Sequence, residues 1–265
     1  MVINVIGDGS AGHRHARLLR ERGHTVKVLG INDRVHPVCE AVVIATPPEA
    51  HEHYLKSYWE YLPILCEGPV TWVGEPTYIP QVRMVASNWR FVPQMQHLKK
   101  IINERKSVSA HLWFDWSLPL WRPDTDYRKT CYFASGIDNI NLHEVDMALW
   151  LFGHPAAIHV ERVHTGLSQG VDALAMVIKH ERGTLTTINS GWHSTIYQRG
   201  MRVVFEDGTS EEIGWASPQD DAIVNVSYAA LIDEWLAAIE EDRFAASPTA
   251  WEGYRAYKAT RGEII

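Results

Sequence analysis

The sequence predicts an α/β protein with two dissimilar halves: a shortened, doubly wound parallel sheet at the N-terminus, then an α/β domain built on a large, mainly antiparallel open sheet. Over residues 1–88 short, apolar, β-branched runs alternate with helical patterns, the order that builds a parallel sheet. From about residue 107 the runs lengthen, alternate apolar with polar and are joined by turns, as in antiparallel sheets with one solvated face. With 265 residues, 46% of them hydrophobic, the chain can bury two cores. The expected domains are therefore 1–88 and 89–265.

"VINVIG" reads as the first strand, "HRHARLLRERG" as a helix stopped by Gly23, and "TVKVLG" as a second strand, together a β-α-β unit. "EAVVIATPP" is a buried strand ended by prolines, "EAHEHYLKSYWEYL" is helical, and "PILCEGP" is a strand again. Such a sheet places its ligand site at the C-terminal ends of the strands. Further on, "VSAHLWFDW", "AIHVERVHTG", "DALAMVIKHERGTLTTINSGWH" and "RGMRVVFEDGTSEEIGW" supply the antiparallel strands. "NLHEVDMALWLFG" and "SYAALIDEWLAAIEEDRF" supply two helices, the second expected to lie amphipathically on a sheet with its charges solvated.

Composition removes several function classes. The formal charge of -7 and the lack of any Lys/Arg block give no footprint for nucleic acid. No apolar run approaches the ~20 residues of a membrane span, and Met1 leads straight into a strand without a basic stretch and cleavage site. The three cysteines, Cys39, Cys66 and Cys131, are odd in number and lack metal-ligand or redox spacing, which fits a reducing compartment. The expectation is a cytoplasmic protein with no nucleic-acid and no membrane partner. His13 and His15, like His51 and His53, stand two apart, which on a helix sends them to different faces, so no metal site is expected. The eleven tryptophans fit sheet packing and an oligomer face, in a homodimer or homotetramer.

The first chemical signal is "GDGSAG". Gly7, Gly9 and Gly12 have the G-x-G-x-x-G spacing between the first strand and its helix, where glycine permits a tight turn and the close approach of a pyrophosphate to free helix N–H groups, with Ser10 and Ala11 in the same turn. Past the second strand only "GINDRVHPVCE" precedes the next one, fewer residues than the dozen or more of an ordinary parallel crossover, so this link is expected to be stretched and irregular. Asp33 suits the adenosine ribose hydroxyls and Arg34 a 2′-phosphate, which leaves NAD and NADP both open.

Five ordered segments, "VIGDGSAGHRHARLL", "AVVIATPPEAHEHY", "LCEGP", "SNWRFVPQMQHLKKII" and "HEVDMALWLFGHP", resemble the marker segments of the Gfo/Idh/MocA family of NAD(P)-dependent oxidoreductases. The resemblance implies a Rossmann domain followed by an α/β domain, a nicotinamide dinucleotide bound between them, and a hydroxyl or carbonyl carbon of a sugar, inositol or related polyol as the reacting centre. It also implies that Gly7, Gly9 and Gly12 hold the pyrophosphate, that Thr46, Pro47 and His51 line the cofactor, and that Glu67 lies near the nicotinamide ribose. "SLPLWRPDTDYRK" is similar to a subgroup associated with cell-surface polysaccharide sugar pathways. It makes Trp121, Arg122, Tyr127 and Arg128 substrate-binding candidates beside Arg90, since an arginine fork suits a sugar acid or a phosphorylated sugar; Trp121 and Tyr127 fit core and rim positions equally well.

The sequence departs from the family at two chemical positions. The residue after Glu67, normally a lysine that polarises the reacting oxygen, is Gly68, and neither Lys56 nor Lys99 falls at a strand end. His143 matches the family's histidine, a group suited to proton transfer near neutral pH. Its expected aspartate partner four residues earlier is Asn139; Asp138 lies one residue further back, and Asp146, three residues on, shares a helix face with His143. Two readings follow: a working oxidoreductase with His143 as acid/base helped by Asp138 or Asp146, or a catalytically degenerate relative that serves as a binding or partner subunit. The intact glycine turn, "ATPPEAH", Glu67 and His143 favour the enzyme.

Overall fold

A computed structural model describes residues 1–30, 33, 38–74, 83–121, 137–215, 221–243 and 247–265. In chain order the elements are β1 (Val2–Ile6), α1 (Ser10–Glu21), β2 (Thr25–Leu29), β3 (Ala41–Ile44), α2 (Pro48–Tyr58), β4 (Ile64–Cys66), β5 (Arg83–Val85), a 3₁₀ turn (Asn88–Phe91) and α3 (Pro93–Glu104). They continue with β6 (Ser107–Ser117), α4 (Leu118–Trp121), α5 (Ile137–Phe152), β7 (Pro155–Val163), β8 (Ala173–His180), β9 (Leu185–Gly191), β10 (His193–Phe205), β11 (Ser210–Trp215), α6 (Asp221–Glu240) and α7 (Ala250–Thr260). The chain forms two compact units, Met1–Phe91 with Asn225–Tyr254, and Val92–Val224 with Arg255–Ile265. The segment Asn225–Tyr254 belongs to the first unit, which a division by chain order alone does not foresee.

The first unit holds a five-stranded parallel sheet in the order β2-β1-β3-β4-β5. Ile3, Val5, Val42, Val43, Ile44 and Leu65 are fully or almost fully buried, as strands covered on both faces require. Helix α1 turns Gly12, His15, Ala16, Leu18 and Leu19 inward, and Gly23 in the left-handed region (φ 80°) ends it. Helix α2 opens on Pro48, whose missing N–H costs nothing in a first turn. Strand β3 pairs with β1 on the side opposite β2, and the link 30–40 between β2 and β3 is shorter than the dozen or more residues of an ordinary crossover. The sheet therefore reverses its winding between β1 and β3, which makes their C-terminal ends the topological switch point.

Helix α6 is long and apolar enough by length and composition to cross a membrane, contrary to the sequence expectation that no run would come close. Its buried residues explain the composition. Ser227, Tyr228, Leu231, Ile232, Trp235 and Ala238 recur every three to four positions as a core-facing stripe. Polar ties fix it within the first unit: Arg22 Nη2 donates to Asp233 Oδ2 at 2.8 Å and Asn88 Nδ2 to Ser227 Oγ at 2.9 Å.

The second unit holds a six-stranded sheet in the order β11-β10-β6-β9-β8-β7, antiparallel throughout except for the parallel pair β6 and β9. Its strands alternate as predicted: Ala110, Leu112, Phe114, Leu174, Met176, Ile178 and Ile188 are buried on one face. On the other face His111 stacks on Trp113, and Val163, Val177 and Leu185 are exposed. The α5 helix lies against β6, β8 and β9. Two polar contacts fix its register on the sheet: Ser190 Oγ donates to Asn141 Oδ1 at 2.9 Å, and Arg199 Nε donates to Glu144 Oε1 at 2.8 Å.

Candidate functional site

In the first unit the loop between β1 and α1 is shaped by contacts of backbone on backbone. Gly7 has φ 120°, and a Cβ there would lie 2.3 Å from the Ala45 carbonyl oxygen; one on Gly12 would lie 1.8 Å from the Gly7 oxygen. Neither position accepts a side chain. Gly9 differs, because a Cβ there would meet nothing within 4 Å, and Asp8, Gly9 and Ser10 are exposed. No side chain caps α1, and its first intrahelical bond runs from His13 N to Gly9 O at 3.0 Å. The N–H groups of Ser10, Ala11 and Gly12 thus form an open, electropositive cradle in front of Gly9. The shape and the donor chemistry fit the pyrophosphate of a dinucleotide.

The neighbouring strand ends add side chains. Thr46, after β3, is buried and its hydroxyl has no hydrogen-bond partner among the described residues, a group available to a ligand at the switch point. Pro47 is exposed at the N-cap of α2. His51 departs from expectation: it is completely buried, with Nε2 2.8 Å from the Thr46 carbonyl oxygen and Nδ1 2.8 Å from that of Pro69. It braces the turns after β3 and β4 and does not line a cofactor surface. Glu67, at the end of β4, is anchored through its N–H to the Ile44 carbonyl at 2.8 Å, and its side chain, 15% exposed, accepts a hydrogen bond from His15 Nε2 at 2.7 Å.

The end of β2 is acidic. Asp33 Oδ2 accepts the Gly30 N–H at 2.8 Å, and the space where a Gly30 side chain would stand is bounded by Asp33 Oδ2 at 3.5 Å and Asp8 Oδ2 at 3.6 Å. The sequence singled out Asp33 but not Asp8, although its place inside the glycine turn was a signal. Arg34 lies outside the described residues. Arg90, expected to meet substrate, is corrected by its surroundings. It is buried, and its guanidinium donates to Glu252 at 2.8 Å and to Ser247 at 3.2 Å, so it ties the end of the 3₁₀ turn to α7.

In the second unit α5 carries His143, which is half-buried, and Asp146, which is buried. Between them Glu144 is buried against Arg199, an ion pair that sequence reading missed. The side chains of Trp121, Asp138 and Asn139 are not among those described, and Arg122, Tyr127 and Arg128 lie outside the described residues altogether. Among the described residues no group of three or more His, Cys, Asp or Glu side chains is placed to hold a metal ion.

Residues 96–211 match the GFO/IDH/MocA C-terminal domain. The inositol 2-dehydrogenase of Mycolicibacterium smegmatis is 24% identical over 96% of this chain and 90% of its own length. Over residues 96–211, then, the chain carries the C-terminal domain of the Gfo/Idh/MocA family. Its fold is shared by the WlbA dehydrogenase from Bordetella pertussis, solved in complex with NADH and UDP-GlcNAcA (TM-score 0.81, 14% identity, 98% of this chain and 93% of that one). UDP-N-acetylglucosamine 3-dehydrogenase GnnA from Acidithiobacillus ferrooxidans also shares it (TM-score 0.76, 18% identity, 98% and 95%).

Against the family pattern Gly68 remains a departure, and the lysines weighed as substitutes are both engaged. Lys56 Nζ bonds Glu52 at 2.6 Å on the surface of α2, while Lys99 Nζ donates to the Trp150 and Leu151 carbonyls at the end of α5.

Proposed function

We propose that this chain is an NAD-dependent oxidoreductase that moves a hydride between the nicotinamide and a hydroxyl- or carbonyl-bearing carbon of a sugar or sugar-derived substrate. The observation that carries the reading is the cradle at Gly9: Gly7 and Gly12 are closed by the chain itself, while Gly9 faces open space in front of uncapped helix N–H groups. A protein that kept the turn only for its fold would have no use for that opening. The relatives named as inositol and UDP-sugar dehydrogenases support the substrate class.

The choice of NAD over NADP rests on Asp8 and Asp33. Two carboxylates converge beside Gly30, where ribose hydroxyls can donate to them and a 2′-phosphate would meet like charge. The bound nicotinamide supplies the hydride acceptor. On this chain's side the Ser10, Ala11 and Gly12 N–H groups hold the pyrophosphate, the Thr46 hydroxyl offers a hydrogen bond and Glu67 offers a fixed carboxylate. As an alcohol carbon loses its hydride, the hydroxyl proton passes to an imidazole nitrogen of His143, with Asp138 or Asp146 orienting the ring. A homodimer or homotetramer belongs to this reading, supported by the exposed Val163, Val177 and Leu185 and by the His111–Trp113 stack on one sheet face.

The test is a screen of inositols, sugar acids and UDP-sugars with NAD⁺, followed by NADH absorbance, with His143→Ala alongside. Turnover of one class, falling at least ~100-fold in the variant, is expected. Failure to form NADH from any alcohol, or to consume it with the matching ketones, would leave the degenerate-subunit reading.

A further inference from the structure

Three histidines are buried among the described residues: His15, His51 and His180. In two of them both ring nitrogens face a polar partner. His51 lies between the Thr46 and Pro69 carbonyls, and His180 has Nδ1 2.8 Å from the Gly153 carbonyl and Nε2 3.0 Å from Thr186 Oγ1. His15 is different. It is wholly buried in the apolar stripe of α1, Nε2 reaches Glu67 Oε1 at 2.7 Å, and Nδ1 is buried with no partner among the described residues. Tyr228 of α6 closes the site edge-on, 5.5 Å from the imidazole centroid, and is itself covered by the Arg14 guanidinium at 4.6 Å.

A buried imidazole with one nitrogen unsatisfied is a poor core residue, since leucine would fill the stripe without stranding a polar atom. Its one strong contact identifies what it is kept for. A carboxylate can only accept, so His15 Nε2 carries the proton and donates it to Glu67. The Glu67 backbone is already pinned by the Ile44 carbonyl, so this bond removes the remaining side-chain freedom and aims the carboxylate from the end of β4. The donor sits one turn past the glycine cradle on the same helix that would hold the pyrophosphate.

We infer that His15 is a positioning residue: it holds the Glu67 carboxylate in the orientation that meets the bound dinucleotide, coupling the glycine-turn helix to the end of β4. For what the carboxylate meets, this rests on the oxidoreductase reading.

The experiment compares wild type, His15→Leu, His15→Gln, Glu67→Ala and the double variant His15→Leu/Glu67→Ala for NADH affinity by calorimetry and for unfolding by urea, with a crystal structure of His15→Leu. His15→Leu is expected to keep or gain stability while losing about tenfold or more in NADH affinity, the scale of a lost charge-assisted hydrogen bond. Glutamine, whose amide nitrogen can take the place of Nε2, should restore most of that loss even if the leucine variant folds poorly. In the Glu67→Ala background the His15 substitution should have no further effect, and the crystal structure should show the Glu67 side chain turned from its wild-type position. Unchanged affinity in a folded His15→Leu, the same loss with Glu67 absent, or an unmoved carboxylate would overturn the inference while leaving the oxidoreductase reading in place. If wild type itself binds no nicotinamide dinucleotide, that reading fails, and the inference about what Glu67 meets falls with it.

Discussion

Arg199 Nε lies 2.8 Å from the carboxylate of Glu144, and both side chains are buried in the second unit. Burial pushes the Glu144 carboxyl upward even against the pull of the guanidinium, so desolvation is the larger effect. The pair's consequence is geometric: it ties the residue next to His143 to the middle of β10, and Asn141 to Ser190 on β9 adds a second tie. Loss of one partner leaves a charge buried alone. Arg199→Met should cost roughly 3–5 kcal/mol in urea unfolding, and adding Glu144→Leu should recover most of it. Equal costs for the single and double variants would show that the ion pair is not what holds this site.

Asp172 gives a pH signature. Burial alone would raise its carboxyl, but the hydroxyls and N–H groups of Ser168 and Thr165 outweigh it and hold it at about 2, against an ordinary value of 3.8. A depressed carboxyl contributes stability that is fully present above the unfolded value and is lost as pH falls through the folded one. The contribution is roughly 2 kcal/mol. Asp172→Asn should lower stability by about that amount at neutral pH and flatten the stability profile between about pH 4 and pH 2, read by urea unfolding across that range.

The glycine turn separates folding from binding. Gly9→Ala places its methyl in open space and should cost less than about 1 kcal/mol of stability, yet weaken dinucleotide binding by crowding the cradle. Gly12→Ala would drive a methyl into the Gly7 carbonyl and should cost about 1–3 kcal/mol even with no ligand present. Thermal unfolding with and without NADH distinguishes the two.

Cofactor choice should follow the acids beside Gly30. Asp8→Ser with Asp33→Ala removes both carboxylates from the place where a 2′-phosphate would lie, and the NAD⁺-to-NADP⁺ affinity ratio should fall at least ~10-fold. An unchanged ratio would show that these acids do not set the preference.

Local pattern made much of this legible. The period of two in β8 and the strand–glycine–helix order of β1 and α1 are properties of short windows, and the structure keeps them. Distant pairs were not readable. His15 and Glu67 stand 52 residues apart, and Glu144 and Arg199 stand 55 apart; each pair meets only because a sheet brings their elements together. The same limit hid the inward turn of His51 and the pairing of Arg90 with Glu252, since spacing places a residue near a strand end without saying which way its side chain faces.

The most direct measurement is calorimetric titration of the purified protein, freed of carried-over nucleotide, with NAD⁺, NADH, NADP⁺ and NADPH. The cradle at Gly9 and the acids at Gly30 predict micromolar binding of NAD⁺ and NADH and markedly weaker binding of the phosphorylated pair. Binding of none of the four would contradict the oxidoreductase assignment.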